Sequence, residues 1–189
     1  MILYHLGFDI IKDIDLRHGR INADFGQGFY LSNNIEFSKK WATIKNDRDT
    51  ILNFYDLDLN SLNVLEFKER NKEWFDYIFK NRNGQSDIYK EYDVIIGPIA
   101  NDTIFDLYGI VTSGLINNEL ALKILDIGPT YYQIVLKSEK AKSNIKFLKY
   151  EILDKLDIKN NQNEIRKIEE DYQDKVFNLL DDKVKDILS

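Results

Sequence analysis

Apolar and polar positions change rhythm several times along the chain, and each rhythm predicts an element. ILYHLG at residues 2–7 is a short apolar run rich in strand formers, and GFYLS at 28–32 reads as a second strand. Between them, IIKDIDLRHGRINA reads as polar connection with Gly19 as its turn residue. Ser32 to Asn34 offer side-chain oxygens to cap the helix that IEFSKKWATIK predicts, in which Phe37, Trp41 and Ile44 share one face. TILNFYDLDL sets Ile51, Asn53, Tyr55, Leu57 and Leu59 at a period of two, which favours a strand. EWFDYIFKNR at 73–82 fits a helix that stops near Asn83-Gly84. YDVIIGPIA at 92–100 is nearly all apolar, is bounded by Gly97-Pro98, and reads as a buried strand. NNELALKILDIG predicts a helix closed by Gly128, and YYQIVLKS at 131–138 predicts one more strand.

After Lys149 the composition changes: no Gly or Pro follows, and charge is dense. Ile165, Ile168, Tyr172, Val176, Leu179, Leu180, Val184 and Ile187 trace an apolar stripe at helical spacing, expected to fold back on the preceding domain. The chain therefore divides into a mixed domain over 1–149 and an amphipathic helical extension over 150–189. Strands and helices alternate without a regular βαβ rhythm, so the expected class is α+β and not a doubly wound sheet.

Composition narrows the chemistry. A chain of 189 residues with 43% hydrophobic content, 11 Phe and 11 Tyr can bury a substantial core. The formal charge of -6 gives no global field toward nucleic acid or an anionic membrane. The absence of Cys excludes disulfides, Cys-ligated zinc and a thiol nucleophile. Two histidines, His5 and His18, speak against a multi-histidine metal site. MILYHLGFD lacks the pattern of a signal peptide, and no run approaches the roughly 20 apolar residues of a membrane helix. The expectation is a soluble, cytoplasmic protein with no membrane partner and no metal.

DFGQGFY at 24–30 sets Gly26 and Gly28 ahead of an aromatic pair, where they allow a tight turn or the close approach of another molecule. Three features stand in order: Tyr4-His5 on the first strand, GFYLS leading into a helix with Ser38 and Trp41, and Gln133 opening a late strand. This order resembles the ADP-ribosyltransferase superfamily of the His-Tyr-Glu type, which includes the poly(ADP-ribose) polymerases and diphtheria-like toxins. More closely, residues 1–148 resemble an uncharacterised bacterial family related to those transferases. Its hallmarks match Asp24 to Tyr30, Asn81-Arg82, and the segment Gly97, Pro98, Ala100, Asn101, Asp102. That family often looks like the toxin half of a toxin-antitoxin pair.

The resemblance implies a split β-sheet core with flanking helices and NAD as co-substrate. His5, with Gly7 beside it, would hold a ribose of NAD, and Tyr30 would stack on nicotinamide. Gly26 and Gly28 would admit the nicotinamide amide, Arg20 with Arg17 would hold the pyrophosphate, and Asn101 would line the cofactor site. Breaking the nicotinamide–ribose bond develops an oxocarbenium-like cation, which the relatives offset with a Glu. Here that position is Gln133, which can contact the ribose 2'-hydroxyl but carries no charge. Asp102 is the leading replacement carboxylate, with Asp24 and Glu119 behind it, and Gln in this place implies mono-transfer. The expected partners are a macromolecular target, protein or RNA, and a small antitoxin. Two other outcomes remain open: a protein that binds NAD or ADP-ribose without chemistry, and an NAD glycohydrolase. Each residue also has a plainer reading: His5 and Tyr30 as packed strand residues, Gln133 as an edge-strand side chain, Asp24 and Asn101-Asp102 as turn formers, and the arginines as solvated loop charges.

Overall fold

The short apolar runs become strands β1 (Ile2–Gly7), β2 (Phe29–Ser32), β3 (Ile51–Leu57), β5 (Val94–Pro98) and β6 (Tyr132–Leu136), joined by two that the pattern does not predict, β4 (Val64–Glu66) and β7 (Ile145–Ile152). The computed structural model describes residues 1–100, 118–127 and 130–188. Within them the strands form one sheet in the order β4-β5-β6-β2-β1-β3-β7. Every neighbouring pair is antiparallel except β4 and β5, which run parallel. The helices are α1 (Ile35–Lys40), α2 (Lys72–Arg82), α3 (Asn118–Leu125), α4 (Glu139–Ser143) and α5 (Lys155–Leu188). The architecture is thus mixed helix and sheet, as the pattern predicts.

Side-chain caps start the short helices. Asn34 Oδ1 accepts from the Phe37 N–H at 2.9 Å, Asn71 Oδ1 from Trp74 at 3.0 Å, and Ser138 Oγ from Ala141 at 3.1 Å. The first helix is shorter than IEFSKKWATIK predicts. Thr43 and Ile44 are β-branched, Asn46 and Asp47 favour turns, and the Thr43 carbonyl is taken by Thr50 Oγ1 at 2.6 Å, so the chain leaves the helix at Trp41.

The sheet buries both faces. On one side Phe25, Phe67 and Val135 meet Trp74, Phe75 and Ile78 of α2 and Ile124 of α3. On the other, Leu3, Phe29, Leu31, Tyr55, Ile134 and Leu136 pack with Ile14, Leu16 and Ala141. Trp74 is fully buried and its indole N–H donates to the Pro98 carbonyl at 3.0 Å, so its polar tip is satisfied while its rings fill the core.

The tail is one helix of 34 residues that folds back on the domain. Near its start Ile158 and Ile165 are buried, and Asn161 Nδ2 donates to the Lys39 carbonyl at 3.3 Å. Farther on, Tyr172, Val176, Leu179 and Leu180 pack on the α2–α3 core, and the Tyr172 hydroxyl donates to the Ile124 carbonyl at 3.2 Å. Ile168 departs from the expected stripe and is 41% exposed. β7 carries the sheet across residue 150, ending at Ile152, and the helical extension starts only at Lys155.

One junction in the sheet is weak. β1 and β3 pair continuously from Ile2–Asp56 to Gly7–Ile51, whereas β1 and β2 pair only at Tyr4 and Ser32. Past that point the two strands separate.

Leu179→Asp should cost about 2 kcal/mol or more by placing a charge against the α2–α3 core. Hydrogen exchange should then rise in α5 from Tyr172 onward while the segment around Asn161, held separately by α1, keeps its protection. A uniform rise along the helix would show that its two halves are not anchored independently.

Candidate functional site

The 24–30 segment is fastened by its first residue. Asp24 Oδ1 accepts from Arg82 Nε at 2.7 Å and from Arg82 Nη2 at 2.6 Å, while Oδ2 accepts from Gln133 Nε2 at 3.1 Å. Asn81 Nδ2 donates to the Asp24 main-chain carbonyl at 3.0 Å, and Arg82 Nη2 reaches the Ala100 carbonyl at 3.3 Å. The Arg82 and Asp24 side chains are only 8% and 13% exposed, so the ion pair is well shielded from water. The C-terminal turn of α2, the loop before β2 and the start of β6 meet at one carboxylate.

Gln133 is buried on β6 opposite Ser32 of β2. Its amide N–H points at Asp24, which orients the amide and directs Oε1 away from that carboxylate. A Glu at this position would set a second negative charge against Asp24. Gln at 133 therefore has a local reason: it gives Asp24 a donor.

His5 sits where β1 and β2 separate. Its Nδ1 lies 2.8 Å from the Tyr30 carbonyl oxygen, which can only accept, so Nδ1 carries the proton. The imidazole stacks on Phe29 with ring centroids 4.5 Å apart. Burial pulls its pKa below the ordinary 6.5, the Tyr30 carbonyl opposes that shift, and His18 adds to it. The ring is therefore neutral near pH 7, with Nε2 as an acceptor that makes no hydrogen bond among the described residues. A Cβ on Gly7 would lie 3.5 Å from Nε2, so glycine leaves that nitrogen uncovered.

Tyr30 is half-buried against the α2 side of the core, and its hydroxyl is held twice. It donates to the Gly26 carbonyl at 2.7 Å and accepts from the Phe25 N–H at 2.9 Å. Burial pushes its pKa far above the ordinary phenol value, with Asp24 and Asp87 adding and the Phe25 N–H and Arg20 opposing. The ring is fixed at its rim by its own loop. That makes it a rigid surface and not a titrating group.

The glycines of this loop have intramolecular reasons. Gly26 has φ +75, and a Cβ there would stand 2.7 Å from Asp87 Oδ2 and 3.0 Å from Lys137 Nζ. Lys137 is buried, pairs with Asp87 and donates to the Phe25 carbonyl; burial lowers its pKa while Asp87 opposes the shift. A Cβ on Gly28 would meet the Leu136 carbonyl oxygen at 2.5 Å and Val135 Cγ1 at 2.7 Å. The space beside both α-carbons is thus filled by protein.

Arg17 and Arg20 are exposed on the loop after β1. Gln27 ties that loop down by donating to the Arg17 and Gly19 carbonyls at 2.8 and 3.1 Å. Asn101 and Asp102 lie outside the described residues. Glu119 is on α3, exposed, in an ion pair with Lys123 at 2.9 Å. The carboxylate that the described residues bring to Gln133 is Asp24, ranked below Asp102 in the sequence. Asn81 and Arg82, legible only as pieces of a pattern, turn out to be its partners. Opposite charge at two positions of one pattern, Asp24 and Arg82, was the available signal. Trp41 closes α1 with 45% exposure, tilted against Phe37 at 6.1 Å between centroids.

No group of His, Asp and Glu clusters as a metal site among the described residues, and none of their helices is long and apolar enough to cross a membrane. What the arrangement offers is a neutral imidazole acceptor, a fixed aromatic ring, an oriented amide and a carboxylate balanced by a guanidinium. These suit recognition of hydroxyl groups and a planar ring.

Arg82→Ala should destabilise the fold by about 3 kcal/mol or more in urea unfolding, because Asp24 would keep a shielded charge without its partner. Gln133→Glu should cost on the order of 1–2 kcal/mol at neutral pH. Repulsion by Asp24 raises the new carboxyl's folded-state pKa above its unfolded value, so this loss should fade as pH falls through the raised value. The His5 folded-state pKa is depressed, so its contribution is full above about pH 6.5 and declines below it, as the unfolded state takes up the proton first. His5→Asn, which keeps a donor for the Tyr30 carbonyl, should flatten that decline in urea midpoints between about pH 7.5 and about pH 5.

No curated protein matches the chain. The family described as "Protein of unknown function (DUF3990)" matches residues 1–147, a span that contains the Asp24–Arg82–Gln133 cluster and the His5 junction and ends before α5, and the chain belongs to that family.

Proposed function

We propose that this protein is an NAD-dependent mono-ADP-ribosyltransferase with an ADP-ribosyltransferase-like split sheet. It acts in the bacterial cytoplasm as the toxin of a toxin-antitoxin pair and modifies a macromolecule. The observation that carries the reading is the junction of β1 and β2. The strands pair at one position, and the His5 imidazole takes the Tyr30 carbonyl where the next ladder bond would lie. Nε2 then accepts from a ribose hydroxyl of NAD, the Tyr30 ring bears the nicotinamide, and Gln133 Oε1 accepts from the 2'-hydroxyl. Arg20 lies on the loop where a pyrophosphate would need a cation.

Cleavage leaves positive charge on the ribose. Near it the chain offers the Gln133 amide oxygen and, behind it, Asp24 neutralised by Arg82, so stabilisation comes from oriented dipoles more than from a free carboxylate. That same observation favours a second reading, in which NAD or ADP-ribose binds and no bond breaks. A glycohydrolase differs from the first reading only in using water as acceptor.

The test is incubation with NAD labelled in its adenylate part, with and without cell lysate, reading free nicotinamide and label on macromolecules. Transfer is expected, and His5→Asn, which retains the Tyr30 contact but removes Nε2, should lower nicotinamide release at least about tenfold. Release without transfer would make the protein a glycohydrolase. Binding without release would establish the second reading, and neither binding nor release would overturn both.

A further inference from the structure

A cleft of about 460 Å³ lies between α1 and the first turns of α5. Two aromatic rings line it: Phe37 and Tyr131 lie with ring centroids 4.3 Å apart and planes at 32°. Its tail wall carries Asp157, Asn160, Asn161 and Glu164, spaced so that they share one face of α5. Across from them α1 presents Glu36, Lys39 and Lys40.

The charges of the cleft do not balance. Lys39 is paired with Glu151 outside the cleft at 3.0 Å, and Lys40 with Glu164 at 3.3 Å. Glu36 and Asp157 make no ion pair or side-chain hydrogen bond among the described residues, and both are exposed. Two carboxylates without cations thus line the same cleft as two aromatic rings and the Asn160 amide. A planar cation matches this set: it can lie on a ring face and still donate in plane to carboxylate and amide oxygens. An ammonium would gain the charge but not the stacking.

We infer that the cleft between α1 and α5 binds an arginine side chain of a protein partner. The family match ends at residue 147, so α1 and Tyr131 lie within the matched span and the wall with Asp157 lies outside it. The inference requires no NAD chemistry and is measured without NAD.

The test uses the full chain and three short peptides that differ at one residue: arginine, lysine, or citrulline, the neutral isostere of arginine. Amide and ring resonances of Asn160, Asn161 and Tyr131 are followed by NMR. The arginine peptide should give saturable shifts confined to the cleft, and the citrulline peptide should give none. The double variant Glu36→Gln/Asp157→Asn should weaken arginine binding about tenfold without altering the circular dichroism spectrum. Equal binding of citrulline or lysine, shifts centred elsewhere, no saturation, or an unaffected double variant would each overturn the inference.

Discussion

Everything around the candidate site hangs on the Asp24 carboxylate. It takes three donor atoms, two from Arg82 and one from Gln133, and its own carbonyl takes Asn81. These bonds join α2, β6 and the loop ahead of β2, three pieces that are distant in sequence. The loop they fix then determines the rest: Gly26 turns, the Tyr30 hydroxyl closes on the Gly26 carbonyl, and Lys137 with Asp87 fills the space a side chain at 26 would need. A charge left in so dry a place needs its counter-charge, so Arg82 and Asp24 constrain one another.

The same pairing shapes the chemistry the site can support. Because Asp24 requires a donor, Gln133 is held as an amide with its N–H on that carboxylate, and the cluster has no net charge. On the opposite side, the Tyr30 carbonyl keeps the His5 proton on Nδ1, so the other ring nitrogen is an acceptor. Both side chains are thus given one hydrogen-bonding sense by their protein partners, which under the proposed function would remove a reorganisation cost from binding.

The elements most legible in the sequence were those with one strong period: β1, β2, β3, β5 and β6, α2, and the long tail helix. β7 was missed because IKFLKYEI mixes lysines with apolar residues on an outer strand that is half solvated and slips register between Phe54 and Tyr55. β4 and α4, at 3 and 5 residues, are too short to carry a period. In the site, local signals found Tyr30, His5 and Gln133. They could not find that Asp24 contacts Gln133 or that Arg82 closes on Asp24, since those contacts are set by tertiary packing and not by spacing along the chain. The glycines were read as positions for a tight turn or a close approach; what stands beside their α-carbons, Asp87 and Lys137 at one and β6 at the other, comes from segments far away in the sequence.

The bond between Gln133 and Asp24 spans 109 residues, and β2 pairs with β6 across a similarly long stretch of chain. A ribosome making this protein has therefore released α1, β3, α2 and β5 before the strand that completes the cluster exists. Until β6 emerges, β2 has no partner on one side and Asp24 lacks one of its donors. Assembly of the site is consequently a late event in synthesis, and a chain cut short before β6 lacks the donor that completes it.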